Sequence, residues 1–297
     1  MNVGFSALVV GIAVARASSD ATTLRVATYN TDCRVCDLPH DHGRSWKVRA
    51  ERERAVLAEI NADIIFIEEP VFDKDARMVL PTDRNWTVLQ ESGTLIEDPD
   101  ATLAVDANKF LVEKSGWKWL GPHPSRPGGF DIFTLPRLVV WAQLRARATG
   151  ATFVAMATHF DHGDGTGKST GPSSTNCVQS AREIAALLHN DTDLANRPVL
   201  FGGDLNSRPT SNAYHTLLNT TTLRDTWFAA GINHTVYANT SAAAAAYNFT
   251  IDHIMASPEF RVLHAGASVR TWAIKKGGKE APPSDHFPVF ADVSLSS

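Results

Sequence analysis

This chain has little cysteine and no surplus of positive charge. Only three of its 297 residues are cysteine, which excludes a disulfide-dense scaffold and is too few for a four-cysteine zinc site. The 28 Lys and Arg residues face 32 Asp and Glu, and the formal net charge is −4. This balance excludes a generally basic surface, although a local basic groove for a polyanion remains compatible with it.

Several common catalytic motifs are also missing. The sequence contains no His-Glu-x-x-His, no Walker loop, no Gly-x-Ser-x-Gly and no second Cys-x-x-Cys. These absences exclude the helical zinc peptidases, the P-loop nucleotide hydrolases and the nucleophile-elbow hydrolases.

The chain starts with an apolar segment, Val3–Val14, that ends in Ala15-Arg16-Ala17. The segment is too short to span a bilayer as a helix, and small residues at alternate positions are typical of a cleavage site. We therefore predict a signal peptide over residues 1–17, a mature domain over residues 18–297 and no stable membrane insertion. The alternatives are a buried N-terminal helix or a membrane anchor.

Asn-x-Ser/Thr sequons agree with a secretory route. Such sequons occur at Asn85, Asn190, Asn219, Asn233, Asn239 and Asn248. They predict a secreted, N-glycosylated protein whose 219–248 stretch is exposed.

The cysteines leave their pairing open. In a secreted protein two of Cys33, Cys36 and Cys177 would pair. A bridge from Cys33 or Cys36 to Cys177 would join two loops near the site described below. A redox role for the Cys-x-x-Cys is disfavoured, because no redox-fold context surrounds it.

Hydrophobic patterns predict more strands than helices. The predicted strands are Leu24–Tyr29, Asp63–Glu68, Leu138–Leu144, Thr152–Thr158, Pro198–Phe201, Phe249–Met255, Val262–Val269 and Phe287–Val293. Helices are predicted over Trp46–Ile60, over Cys177–Leu188 with Ser174 or Thr175 as the cap, and from near Ser211. The charges of Trp46–Ile60 are most simply a solvated face. Because strand and helix do not alternate regularly, the pattern indicates an α+β fold.

Polar residues cluster where the predicted strands end. They are Asn30 and Asp32, Glu68 and Glu69, His159 to His162, Asp204 and Asn206, Asp252 and His253, and Asp285 and His286. Such groups are costly to bury without partners. Gathered in one cleft, they would bind a hard divalent cation and transfer protons, as hydrolysis of a phosphate ester requires.

In this order the motifs resemble the endonuclease/exonuclease/phosphatase superfamily, from about Leu24 to Val293. Gly129-Phe130-Asp131, Pro136–Trp141 and Thr158–His162 resemble a narrower group of bacterial-type hydrolases with a Thr-His-Phe-Asp-His motif. The resemblance implies a four-layer α/β sandwich, in which two packed mixed β-sheets are flanked by helices. It also implies Mg²⁺, or Mn²⁺ or Ca²⁺, as the cofactor.

The resemblance implies a metal set of Asn30, Asp32, Glu69 and Asp285. Glu69 would be the main carboxylate, and Asn30 would orient the phosphate or a metal-bound water. Glu68 stands where the family usually has Gln, which leaves an exchange of roles between Glu68 and Glu69 open.

The implied catalytic residues are Arg137, His159, Asp204, Asn206, Asp252 and His286. Arg137 would contact phosphate, and His159 would hydrogen-bond a phosphate oxygen or act as an acid. Asp204 and Asn206 would hold the attacking water and the phosphate. His286 would be the general base or the electrostatic partner of the phosphate, oriented by Asp252.

The leading hypothesis is therefore a secreted, monomeric, metal-dependent phosphodiesterase that cleaves DNA or RNA. Arg126, Arg137, Lys168 and Arg208 would line its groove. The alternatives are a sphingomyelinase-like enzyme with Trp117, Trp119 and Trp227 at the membrane interface, an inositol or sugar phosphate phosphatase, and a non-catalytic binding protein.

Overall fold

A computed structural model describes residues 21–36, 45–90, 100–130, 135–162, 172–232, 250–273 and 280–296. The predicted signal peptide, Lys168 and the sequons at Asn233, Asn239 and Asn248 lie outside these residues. Among the described residues, no helix is long and apolar enough to cross a bilayer.

The first sheet has six strands in the order β11-β14-β1-β2-β4-β3. Its strands are β1 (Thr22–Asn30), β2 (Ile64–Glu68), β3 (Trp86–Leu89), β4 (Ala101–Asp106), β11 (Phe260–Ala267) and β14 (Val289–Leu295). Strands β1 and β2 are parallel and every other pair is antiparallel. The sheet is therefore mixed, with its parallel pair at the centre.

The second sheet repeats this plan in the order β5-β6-β7-β8-β10-β9. Its strands are β5 (Phe110–Trp119), β6 (Leu138–Ala146), β7 (Thr152–His159), β8 (Val199–Asp204), β9 (Arg224–Asp225) and β10 (Asp252–Ala256). Here β7 and β8 form the parallel pair. A separate two-stranded ribbon joins β12 (Trp272–Ala273) to β13 (Glu280–Ala281).

Helices cover the outer face of each sheet. They are α1 (Trp46–Ile60), α2 (Asp73–Val79), α3 (Pro172–Asn190) and α4 (Asn212–Thr220). The short helix α5 (Thr226–Ala229) packs instead against β10 and β11, with Trp227 in the core between the sheets. One core lies between the two sheets, a second under α1 and α2, and a third under α3 and α4. The layers therefore run helix, sheet, sheet, helix, which confirms the four-layer sandwich.

All eight predicted strands are present in the structure. In the sequence, each is an apolar run that is bounded by turn residues. Helix α1 has the predicted bounds, and Ser211 caps α4 by accepting a hydrogen bond from the Tyr214 N–H. The predicted start of the helix over Cys177–Leu188 was wrong. Helix α3 begins at Pro172, so Ser174 and Thr175 lie within it, and proline suits a first helical position because its missing N–H is not needed there.

The predicted solvated face of α1 was wrong for two of its charged residues. Arg49 and Glu53 are fully buried, and Arg49 Nη1 lies 2.9 Å from Glu53 Oε1. The remaining hydrogen bonds of Arg49 go to backbone carbonyls, including Thr31 O at 2.7 Å and Pro283 O at 3.4 Å. Helix α1 therefore holds two loops together through a buried guanidinium.

Candidate active site

The strand-end residues meet at one end of the sandwich. Each central parallel pair ends there, β1 and β2 in the first sheet and β7 and β8 in the second. Their antiparallel neighbours start at that same end. Side chains that are far apart in sequence are consequently brought into one site at the ends of both sheets.

Asn30 connects the two sheets within the site. Its Nδ2 donates to Glu69 Oε1 at 2.9 Å and to Asp204 Oδ2 at 3.1 Å. Its Oδ1 accepts the Asp32 N–H at 3.0 Å. Asn30 is 1% exposed, so its amide is held rigidly between two carboxylates. Asn30 is therefore the donor that orients both carboxylates.

Backbone geometry separates Glu69 from Glu68. Glu68 ends β2 with its side chain between the sheets, where the Thr28 hydroxyl donates to its carboxyl group at 3.0 Å. Glu69 adopts a left-handed φ of 65°, which is unfavourable for a non-glycine residue. This turn brings the Glu69 carboxyl group to Asn30 and to the Cys33 N–H, 2.9 Å from Oε2. Of the two glutamates, Glu69 is therefore the one placed for a metal.

The two glutamates differ in charge as well as in direction. Burial raises the pKa of Glu68 well above its usual range, and the nearby Asp252 and Asp204 carboxylates add to the rise. Burial opposes ionisation of Glu69 too, but the His159 ring and the hydrogen bonds from Cys33 and Asn30 outweigh it. They lower the pKa of Glu69 to about 2. The raised pKa of Glu68 favours its neutral acid form, which is chemically close to the family's Gln, whereas Glu69 is an anion at neutral pH.

Asp204 owes its position to the glycine before it. Gly203 has φ of 143°, and a Cβ there would lie 1.7 Å from Thr158 O. Only glycine permits β8 to approach β7 this closely. The same turn lets Asp204 Oδ1 accept the Asn206 N–H at 2.8 Å, and Asn206 also has a left-handed φ, of 44°.

His286 and Asp252 form the predicted histidine–carboxylate pair. His286 Nδ1 lies 3.0 Å from Asp252 Oδ2, and His286 Nε2 lies 3.6 Å from Asp204 Oδ2. Ser284 fixes the loop, since its hydroxyl donates to Asn30 O at 2.7 Å and accepts the His286 N–H at 3.0 Å. Burial opposes a charge on the ring, but Asp252 and Asp204 outweigh burial and raise the pKa of His286 well above its ordinary value. The raised pKa favours the protonated ring, and with it the electrostatic role over the general-base role.

His159 lies in a buried cluster with Arg137 and Asp100. Arg137 Nη1 lies 2.9 Å from His159 Nδ1, and Arg137 also contacts the Asp100 carboxylate. Nδ1 of His159 also lies 3.0 Å from Asp100 Oδ2, and its Nε2 lies 3.1 Å from Asn206 Nδ2 and 3.4 Å from Asp204 Oδ2. Burial and the Arg137 guanidinium lower the pKa of His159 to about 3. Of its two predicted roles, the neutral ring suits the hydrogen-bond donor and not the acid.

Arg137 is only 3% exposed, although it was predicted to contact phosphate. Its contacts with Asp100 and His159 explain this burial, and they place the guanidinium behind His159. Nε of Arg137 is buried without a hydrogen-bond partner within the described part of the chain. Arg137 thus supplies fixed positive charge to the site and holds His159.

Asp32 and Asp285 lie at the margin of the site. Asp32 is half-buried and has a left-handed φ of 49° in the turn after β1. The Asp285 side chain is 51% exposed, and its Oδ1 lies 4.0 Å from His286 Nε2. Burial of the Asp285 carboxyl oxygens raises its pKa, with His286 opposing the rise. Both residues are near the buried acids without being hydrogen-bonded to them in the contacts above.

The donor atoms suit a hard divalent cation. Ligand atoms of Asp204, Asp252 and His286 lie within 4.8 Å of one another. Glu69 stands beside this group, because Asn30 bridges Glu69 to Asp204. Anionic oxygens dominate the set, as Mg²⁺, Mn²⁺ and Ca²⁺ prefer, so the residues present fit the cofactor that the resemblance implies.

The cysteines pair as Cys33–Cys36, so the considered bridge to Cys177 was wrong. Cys177 is buried in α3, and its thiol donates to Asp161 O at 3.2 Å. Burial raises the pKa of the Cys177 thiol to about 12, which makes it unreactive at neutral pH.

His253 lies in a structural environment. Its Nδ1 lies 2.9 Å from Asp225 Oδ2 and its Nε2 2.9 Å from Ser207 O, all inside the fold. His264 is largely exposed and lies 3.6 Å from Asp292. Asp161, for which the sequence left the role open, has its carboxylate 3.3 Å from the Asn176 amide and so fixes a loop.

Sequence reasoning missed Asp100, Ser284 and Arg49 as supports of the site. Asp100 precedes β4 and follows other acids in the sequence, so no pattern distinguished it. Ser284 could have been found from its position directly before Asp285-His286. Arg49 could have been found because a charged residue three positions after Trp46 falls on the apolar face of the predicted helix.

Comparison with known proteins agrees with this geometry. The model of the Endonuclease/Exonuclease/phosphatase family matches residues 27–286. A family protein from Bacteroides thetaiotaomicron has a TM-score of 0.77 and 24% identity, over 93% of this chain and 96% of that chain. A search of curated proteins gives no match.

Two further solved structures share the fold. A mannosyl-6-phosphatase from Bacteroides thetaiotaomicron has a TM-score of 0.72 and 23% identity, over 91% of this chain and 99% of its own. D. rerio TDP2 complexed with a single-strand DNA product has a TM-score of 0.60 and 15% identity, over 92% and 99% of the two chains. On the family match, the chain belongs to the endonuclease/exonuclease/phosphatase family of phosphoric ester hydrolases, which use divalent metal ions.

Proposed function

We propose that this protein is a secreted, divalent-metal-dependent phosphodiesterase that hydrolyses DNA or RNA. The observation that carries the proposal is one buried cluster in which Asp204 and Asp252 of the second sheet meet His286 and the Asn30–Glu69 pair, which adjoin strands of the first. Few structural roles would repay the cost of burying so many ionisable groups together.

Each group has a task in phosphoester hydrolysis. A divalent ion held by Glu69 and the neighbouring acids would neutralise phosphate charge and activate water. Asp204 and Asn206 are joined by the 2.8 Å hydrogen bond and stand where an attacking water and the phosphate would be held. His286, protonated and backed by Asp252, would stabilise negative charge on a phosphate oxygen. His159 would hydrogen-bond a phosphate oxygen.

Two arginines favour a polyanionic substrate. Arg126 is exposed on the loop between β5 and β6, and Arg208 is half-buried two residues after Asn206. Both loops leave the end of the second sheet that holds Arg137 and Asp204. Cations beside the reacting phosphate grip a nucleic-acid backbone without reading its sequence. The likeness to TDP2, whose structure holds a DNA product, agrees with this choice.

A sugar phosphate phosphatase is the second candidate. The net charge of −4 and the engagement of Arg137 by Asp100 limit the positive charge offered to a long polyanion. A small phosphomonoester would need less positive charge around the site than a long polyanion does. The likeness to a mannosyl-6-phosphatase, which covers 99% of that chain, is the comparison that supports this alternative.

A lipid phosphodiesterase is disfavoured by the tryptophans. Trp119 and Trp227 are each 2% exposed and belong to the core between the sheets. Only Trp117, 38% exposed, could reach a membrane interface. One half-exposed ring is weak support for interfacial binding.

Secretion and glycosylation are part of the proposal. The predicted signal peptide supports them, and the described sequons at Asn85, Asn190 and Asn219 are all exposed. The Cys33–Cys36 disulfide suits an oxidising compartment. The protein is proposed to act as a monomer.

A substrate panel tests the function. The chain from residue 18 onward is incubated with supercoiled DNA, RNA, a hexose 6-phosphate and sphingomyelin vesicles, each with Mg²⁺ or with EDTA. We expect cleavage of DNA or RNA that requires Mg²⁺ and is lost in His286→Ala. Turnover of only the hexose phosphate would replace the nuclease proposal by the phosphatase, and turnover of none would refute the proposed activity.

A further inference from the structure

We infer that the Cys33–Cys36 disulfide is a redox-sensitive positioning element for the Glu69 carboxylate, so that its reduction weakens metal binding. The inference rests on the proposed function only in taking Glu69 as a metal ligand. It concerns the turn after β1 that contains Cys33 and Cys36.

Two contacts join this loop to Glu69. The Cys33 backbone N–H donates to Glu69 Oε2 at 2.9 Å, and Cys36 Sγ lies 3.8 Å from that oxygen. The other oxygen, Oε1, accepts from Asn30. Both carboxylate oxygens are therefore oriented, one by a buried side chain and one by the backbone of the disulfide loop.

Two interactions hold the loop in place. The Cys36 N–H donates to Cys33 O at 3.0 Å, and the disulfide closes this turn between residues only three apart in sequence. On its other side, Arg49 Nη2 donates to Cys33 O at 3.3 Å. Without the disulfide the turn loses the covalent link between Cys33 and Cys36 and keeps the hydrogen bond from the Cys36 N–H, so the Cys33 N–H would be held less firmly against Glu69.

The bond is open to reductants. Cys36 is exposed whereas Cys33 is 8% exposed. A thiolate of a dithiol would attack Cys36 Sγ and expel the Cys33 thiolate, which takes up a proton. The second thiol of the reagent would then release Cys36 as a thiol. The cystine gains two electrons and two protons, and the reagent is oxidised to its own disulfide.

Losing the orientation of a metal carboxylate should lower metal affinity by about 10-fold or more, as removal of such supporting hydrogen bonds does. Mn²⁺ binding is measured by calorimetry on oxidised protein, on protein reduced with dithiothreitol and desalted without oxygen, and on C33S/C36S. We expect tight binding only in the oxidised sample. C177S is the matched control, because its buried thiol is not in the loop, and it should keep the full redox response.

Equal Mn²⁺ affinity in the oxidised, reduced and C33S/C36S proteins would overturn the inference. Reoxidation of the reduced sample must restore binding, which separates loss of orientation from unfolding. Binding that persists in E69Q would also overturn it, since Glu69 would then not be the ligand affected. If Mn²⁺ binding is redox-sensitive but the protein cleaves no phosphoester, the proposed function is refuted and this inference stands.

Discussion

Replacing Arg49 by Met is expected to destabilise the protein severely. The guanidinium and its partner Glu53 are both 0% exposed, so the substitution leaves a carboxylate buried without its cation. Breaking a buried ion pair from one side costs about 3–5 kcal/mol. It also deprives the Thr31 and Pro283 carbonyl oxygens of their donor. Since 1 kcal/mol shifts the melting temperature of a domain of this size by about 2–4 °C, the expected fall is roughly 6–20 °C.

The assay is urea unfolding followed by tryptophan fluorescence, with R54M as the control. Arg54 lies on the same helix and donates to Met78 O at 2.9 Å, but it is only half-buried and pairs with no buried acid. The double variant R49M/E53L should regain most of the loss, because the uncompensated charge is gone. A cost below about 1 kcal/mol for R49M, or no recovery in the double variant, would refute the reasoning.

Other substitutions test the assignments within the site. E69Q should abolish metal-dependent turnover, whereas E68Q should retain it. Because the pKa of Glu68 is raised in the folded protein, its ionisation costs stability as pH rises above about 4.3, and thermal melts should show E68Q becoming more stable than the unchanged protein over that rise. H286A should lower kcat by about 100-fold or more in initial-rate assays of the folded variant. Arg25 hydrogen-bonds Asp292 and lowers its pKa against the effect of burial, so this pair stabilises the fold above about pH 4 and ceases to do so as pH falls. D292N should therefore reduce the loss of stability as pH falls below about 4, and an unchanged dependence of stability on pH would contradict this.

Sequence reasoning recovered the layers because the strands are short apolar runs that end in turns. β2, with all five residues buried, is the clearest case, and polar residues directly after it marked the site. Strands β3 and β4 of the first sheet and β5 of the second were missed. β5 has mostly half-buried or exposed residues, and β4 follows a polar acidic stretch, so neither shows a strong pattern.

The residues of the site could be predicted, but not their geometry. Which glutamate faces the metal depends on the left-handed φ of Glu69, a property that no side-chain pattern encodes. The support from Asp100 and Arg49 depends on contacts between residues far apart in sequence, as with Asp100 and Arg137. The disulfide could not be chosen among three cysteines, because pairing depends on distance in the fold.

The most direct test is the rate of DNA cleavage by the mature chain and by D204N, each with Mg²⁺ and with EDTA. Asp204 accepts from Asn30 of the first sheet and lies beside His286 and His159, so the two halves of the site meet at this residue. Cleavage that needs Mg²⁺ and falls by about 100-fold or more in a folded D204N protein is the expected result. Undiminished cleavage by D204N, or equal cleavage in EDTA, would contradict a metal-dependent site at this end of the sandwich.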